Sequence, residues 1–153
     1  MSNKLEVGMY ARTFDGYIDK IVDIRYHDNY NTEPTIVLLE KTKGYIEQKE
    51  HNIERDSNGN VTKIKEDKKT YWFIANSIKK ASHNIIDLIE EGDYVNGIYI
   101  DKNNGKYLET SETDYEDSSL GHIRYIRIWN DDIGEVLTHE QYEATAYKLG
   151  GRD

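Results

Sequence analysis

Residues 82–97 read SHNIIDLIEEGDYVNG. The apolar run Ile85, Ile86, Leu88 and Ile89 behind Asn84 predicts a short helix near 84–90, with Asn84 as its cap. Gly92 ends that helix, and Tyr94, Val95, Ile98, Tyr99 and Ile100 return the chain to strand. The same entry stands 84 residues earlier, where Leu5-Glu6-Val7-Gly8-Met9-Tyr10-Ala11 matches Ile89-Glu90-Glu91-Gly92-Asp93-Tyr94-Val95. Each places a Gly turn two residues before a strand tyrosine. A structural joint recurs in this way, whereas a catalytic loop has no reason to. The stretch therefore predicts a mainly β, β-rich α+β chain, with two related β units as one plan. Two body plans fit it: a small SH3-like barrel, singly or in tandem, or one fused two-sheet body.

Composition agrees. Ile occurs 18 times and Tyr 13 times, and both favour strands. The chain has 153 residues, enough for one domain or two very small ones. Residues 1–80 read as a first β unit, residues 81–149 as a second, and 150–153 as a tail; one fused domain is the alternative. Asp15-Gly16 and Asn103-Asn104-Gly105 signal hairpin turns. Tyr45 to Ile74, turning at Asp56-Ser57-Asn58-Gly59-Asn60, predicts a long hairpin arm over about 45–74, with a flexible insertion as the alternative. Glu109 to Ser119 reads as an acidic loop and His122 to Trp129 as a strand. Thr138-His-Glu-Gln141 has the form of a capping box, predicting a short helix near 139–145, with Ala146 to Leu149 as a last strand.

Several chemistries are excluded or unsupported. There is no cysteine, so disulfides and thiolate metal sites are out. Neither a phosphate-binding Gly-x-x-x-x-Gly-Lys-Ser/Thr nor a Gly-x-Gly-x-x-Gly is present, and no Gly-x-Ser-x-Gly elbow. The five histidines (His27, His51, His83, His122, His139) have no metal-ligand spacing among themselves. The loops opening at Asp56 and Asp101 faintly resemble calcium loops, but hairpin turns explain both. The adjacent acids Glu90/Glu91, Glu116/Asp117 and Asp131/Asp132 admit acid–base or divalent-ion chemistry only if the fold converges them with other groups. No catalytic residue, cofactor-binding residue or metal ligand is assigned, and no cofactor is expected.

Charge supplies the candidate site. Residues 1–80 carry 14 Lys/Arg against 13 Asp/Glu, and residues 81–153 carry 6 against 16, leaving +1 and −10. Glu109, Glu112, Asp114, Glu116 and Asp117 place five acids in nine residues. With Asp131, Asp132 and Glu135 they form a candidate acidic face for partner binding, of a charge density that competes for a nucleic-acid-binding cleft. A plain solvated face is the alternative. Such a surface repels nucleic acid and suits a basic protein. Lysines 63, 65, 68, 69, 79 and 80 gather in the near-neutral first half and offer a separate nucleic-acid reading. The opening MSNKLEVGMYARTFDG has no apolar leader segment, and no apolar run approaches the roughly 20 residues of a membrane span. A cytoplasmic location, inside a host bacterial cell, is expected.

KASHNIIDLIEEGDYVNG, with the closing VLTHEQYEATAYKLGG and the opening EVGMYARTFDG, resembles a group of small uncharacterised proteins of phages and prophages of low-GC Gram-positive bacteria. The matching positions run from Asn84 to Gly97 and from Val136 to Lys148; residues of about 41–70 look like an elaboration. The group supplies no catalytic residues. The resemblance implies a context in which small accessory proteins act by binding, anti-CRISPR inhibitors of host defence nucleases among them. The expected function is a non-enzymatic inhibitor of a host nucleic-acid-handling protein. A β-barrel adaptor binding protein or peptide through its hairpin loops is the first alternative, and the Lys-rich nucleic-acid module the second.

Overall fold

The computed structural model describes residues 4–30, 32–114 and 124–150. The first strands are β1 (Tyr10–Thr13), β2 (Ile18–Tyr26), β3 (Pro34–Leu39), β4 (Ile46–Arg55), β5 (Val61–Ile74) and β6 (Ile78–Ser82). They form one antiparallel sheet in the order β4-β5-β3-β2-β1-β6. The next are β7 (Tyr94–Val95), β8 (Ile98–Tyr99), β9 (Lys102–Asn103), β10 (Tyr107–Asp114), β11 (Arg124–Trp129) and β12 (Val136–Leu137), ahead of helix α1 (His139–Gly150). They make two three-stranded sheets, β11-β10-β9 and β12-β7-β8. The chain is thus mainly β, with one α-helix among the described residues. Among the described residues no sheet closes into a barrel, and the body is built of several open antiparallel sheets.

Two apolar clusters fill it. Leu5, Ala11, Ile21, Ile24, Val37, Leu39 and Phe73 form the first. Ile86, Ile89, Val95, Ile100, Leu108 and Ile128 form the second, with Ile18 of β2 packed against it from the first half.

The recurrence seen in the sequence extends to hydrogen bonds. Gly8 and Gly92 have φ of +96° and +94°, a region that glycine enters at little cost. The Gly8 N–H donates to Ile21 O, and Ile21 N–H donates to Met9 O; Gly92 N–H donates to Ile100 O, and Ile100 N–H to Asp93 O. Met9 N–H donates to Glu6 O, as Asp93 N–H does to Glu90 O. Ala11 and Val95 are wholly buried at the matching strand positions, as are Ile21 and Ile100. Further along, Phe73-Ile74 leads into a 3-10 turn at Ala75–Ser77, and Ile128-Trp129 leads into another at Asn130–Asp132. After those turns β6 returns to pair with β1, and β12 with β7. Each last strand is followed by Ser82-His83 or Thr138-His139, and each of those histidines meets the entry-turn glutamate: His83 with Glu6 at 2.9 Å and His139 with Glu90 at 2.7 Å. The second half therefore repeats the Gly entry, the 3-10 turn and the closing strand with its histidine, while the long β4–β5 ribbon and the single six-stranded sheet belong to the first half alone.

The long hairpin forms as an arm. β4 and β5 pair from Ile46↔Trp72 out to Arg55↔Val61, while β3 reaches β5 only at Val37↔Phe73 and Ile36↔Ile74. The Asp56 carboxylate accepts from the N–H groups of Asn58 and Asn60, which makes that loop a hairpin turn. Asn103 and Asn104 play the same part before β10 through the N–H groups of Gly105, Lys106 and Tyr107.

Three local expectations are corrected. Glu109 to Asp114 is strand, because Leu108 and Thr110 face the core and the Thr110 hydroxyl donates to Ile126 O. Residues 85–88 form a 3-10 turn that the Asn84 side chain does not cap; Asn130 Oδ1 takes the Ile86 N–H instead, from 44 residues away. Residues 146–149 continue α1 where a strand was expected, since Ala, Lys and Leu are strong helix formers and the Thr138 hydroxyl already accepts the Gln141 N–H.

Candidate functional site

A dense polar constellation joins the two halves of the chain. Arg12, on β1, has no exposed surface. Its guanidinium is bidentate on Asp93, with Nη1 to Oδ2 at 2.5 Å and Nη2 to Oδ1 at 2.9 Å, and Nη1 also donates to Leu88 O at 2.9 Å. Nη2 further reaches Glu140 of α1 and lies 3.6 Å from Glu90. The Asp93 carboxylate, equally buried, accepts the N–H of Glu90 and of His139. Asp93 stands at the position that Met9 holds in the first unit, so the joint is made by a departure from the repeat.

Lys79 and Lys80 of β6 close the network. Lys79 Nζ lies 3.0 Å from Glu90 and 3.2 Å from Glu140, and Lys80 Nζ lies 3.1 Å from Glu90. Burial opposes ionisation of Glu90. The hydrogen bonds from His139, Lys79 and Lys80 and the charge of Arg12 outweigh it and hold its carboxyl at about 2. Glu140 is burdened by burial in the same way, and Arg12 and Lys79 pull it below the usual carboxylate range. Desolvation likewise disfavours the charge on Arg12, and Asp93 and Glu140 more than restore it. General acid–base work wants a group near neutrality; these carboxylates are driven the other way and serve as fixed anions. Glu90, His139 and Glu140 each bring a ligand atom within 4.8 Å of the others, a spacing that suits a divalent ion. The same carboxylates already face Arg12 and Lys79, so an ion there would have to displace cations the chain supplies itself.

The acids picked from the sequence are dealt to different places. Glu109 lies in the β9–β10–β11 sheet, between Lys102 and Arg127 in register, so its charge is flanked by two cations. Glu112 is exposed further along β10. Asp114 ends that strand, and Glu116 and Asp117 lie outside the described residues. Asp131 and Asp132 occupy the 3-10 turn after β11, and Glu135 precedes β12. The register sets Asp114 against Arg124 and Tyr107 against Trp129, so Asp114 and the acids of 131–135 sit at opposite ends of the β10–β11 ladder, roughly 20 Å apart.

The second group, that of 131–135, is held in place by Asn96. Asn96, at φ +52°, turns its side chain into the loop 132–135. Its Oδ1 accepts the N–H groups of Gly134 and Glu135, and its Nδ2 donates to Asp132 O. Asp131, Asp132 and Glu135 are exposed and make no ion pair among the described residues. Beside them Trp129, 48% exposed, packs on Tyr107 at 5.0 Å between ring centres, with Arg127 over the Tyr107 ring at 4.6 Å. In the first half, Lys69 pairs with Glu47 and Lys63 stands across from Glu54, which breaks up the lysine patch.

The sequence singled out the stretch 82–97 as a joint but did not find Arg12 or Asp93 as its two poles. A lone arginine in a strand, 81 residues from its partner, carries no local signal. Comparison with protein-family models, with curated proteins and with solved structures found no match to the chain. No helix among the described residues is long and apolar enough to cross a membrane.

Proposed function

We propose that this chain is a non-enzymatic accessory protein of the phage type its sequence resembles, which binds a basic surface on a host nucleic-acid-handling protein, a defence nuclease by the anti-CRISPR analogy, and blocks it. The observation that carries the reading is the loop 131–135, where Asn96 fixes the backbone beneath three exposed carboxylates. An acidic loop held in one conformation binds a cationic surface without the cost of ordering itself. Trp129, Tyr107 and Arg127 beside it are the residue types that dominate binding hot spots. The large clustered charges support binding over catalysis, since the joint's carboxylates are spent on Arg12, Lys79 and Lys80.

The test starts with a tagged pull-down from a phage-permissive host and measures affinity for the captured partner by calorimetry at low and high salt. Steered contacts between opposite charges weaken with ionic strength. The triple variant Asp131→Asn, Asp132→Asn, Glu135→Gln is expected to lose about tenfold or more in affinity, at roughly 1 kcal/mol per rim charge, and most of the salt dependence. Wild-type affinity in that variant sinks the acidic-loop reading.

A further inference from the structure

The open side of the first unit's sheet is a cleft of about 1160 Å³. Four consecutive β6 residues, Ile78 to Ala81, form one wall of it. A groove lying over the face of a strand touches every second residue, because side chains alternate. The register shift opposite Arg12/Thr13 puts Ile78 and Ala81 on the core face and Lys79 and Lys80 on the other, so a cleft that touches all four runs along the edge of β6. The far wall is also consecutive chain, Glu33 to Thr35 and Ile74 to Asn76. On its other side β6 pairs with β1; Ile78 N–H donates to Ala75 O, and from Lys79 onward no sheet partner lies on the cleft side among the described residues. Pro34, the single proline of the chain, stands on the far wall and has no N–H to offer across it.

Proteins usually guard such an edge with lysine side chains laid over it. Here Lys79 and Lys80 reach toward Glu90 and Glu140 in the joint, which leaves the edge bare. Phe14, Tyr30 and Ile74 line the cleft with 60%, 86% and 54% of their surfaces exposed. Lys79 and Lys80 carry their charges to Glu90 and Glu140, which leaves Lys4 and Glu33 as the lysine and the acid of the lining.

We propose that this cleft binds an extended peptide segment of a partner protein, which adds to the sheet as a strand beside β6. Main-chain hydrogen bonds to β6 supply affinity, and alternate side chains supply selectivity, as in other strand-addition complexes. β6 runs to Ser82 and its Ile78 N–H is already taken, so the footprint is about four residues, roughly 13 Å of extended chain. The segment carries apolar or aromatic side chains toward Phe14, Tyr30 and Ile74, and an acid toward Lys4. The second unit has a smaller groove at the matching strand, 530 Å³ along Glu135 to Leu137, where an acid replaces the lysines. The proposal is independent of the acidic loop, which lies in the second unit.

The experiment uses an array of labelled hexapeptides in which Ile, Val, Tyr, Thr and Asp permute over alternating positions, read by fluorescence anisotropy on the full chain. Its controls replace Asp by Lys, or N-methylate alternate backbone amides. Binders are expected to be micromolar. N-methylation in one of the two alternating registers is expected to weaken them about tenfold, the loss of one or two backbone hydrogen bonds, and in the other register to change little. Phe14→Ser and Ile74→Ser, both at exposed positions, are expected to weaken binding about fivefold with folding intact, and bound peptide to slow amide exchange along β6. The acidic-loop triple variant is expected to bind these peptides as the wild type does. No binder anywhere in the array at millimolar concentration, or binders that both N-methyl registers leave unchanged, overturns the proposal.

Discussion

Arg12 spends four hydrogen bonds on partners from the other half of the chain: two on Asp93, one on Leu88 O and one on Glu140. Its Nε has no partner among the described residues. A guanidinium buried this way is tolerable only while its carboxylates are present. Asp93→Ala is therefore expected to cost about 3–5 kcal/mol in denaturant unfolding, because it strands the cation and also frees the N–H groups of Glu90 and His139. The double variant Arg12→Met, Asp93→Leu is expected to recover the part of that loss that comes from the stranded cation, while the N–H groups of Glu90 and His139 stay unpaired. Glu90 adds a pH dependence. Its carboxyl is held at about 2 when folded against 4.5 unperturbed, so the folded state binds its proton less tightly than the unfolded state. Its contribution is complete above about pH 4.5 and is lost as pH falls from there toward 2. Glu90→Gln is expected to be less stable at neutral pH and to show a shallower decline over that window, read from thermal unfolding at successive pH values.

At the scale of elements, the arm and the entry turns behave differently. The β4–β5 ribbon beyond Glu47↔Tyr71 touches no third strand in the sheet, and a two-stranded ribbon alone is marginal in water. The root is firm: Trp72 is 1% exposed, Arg25 lies over its ring at 5.2 Å, and its Nε1 donates to the Thr70 hydroxyl. Replacing residues 49–69 by a tight Asn-Gly turn, which keeps the Gln48↔Thr70 pair as its closing rung together with Tyr71 and Trp72, is expected to leave the melting temperature within about 5 °C of wild type. A larger fall, by calorimetry, means the ribbon supports the body. The entry turns were legible because their demand is local. Gly8 and Gly92 answer to a positive φ two residues before a strand, and that pattern survives in the letters. β10 was not legible as strand from Glu109 onward, because polar Thr and Glu look like loop until Thr110 finds Ile126 O across the ladder.

The whole molecule consists of two apolar clusters linked by a charged joint, so its cooperativity depends on that joint. Trp72 belongs to the first unit and Trp129 to the second, and one fluorotryptophan signal from each reports its own half. In the wild type both signals are expected to disappear at one denaturant midpoint; in Asp93→Ala the midpoints are expected to separate, as the halves uncouple. Coincident midpoints in that variant mean that Ile18, packed on the second cluster, and the remaining contacts suffice to couple them. The sequence by itself determined the β class, the hairpin arm, the capped helix after Thr138 and the recurrence of the Gly entry, because propensity, turn chemistry and alternation act over a few neighbouring residues. Only the tertiary structure decided which charges meet. Arg12 finds Asp93 across 81 residues, and the acids that crowd together along the chain part to opposite ends of a ladder. Ion pairing and exposure depend on distances that strand register sets, and no local pattern in the chain encodes register between its halves.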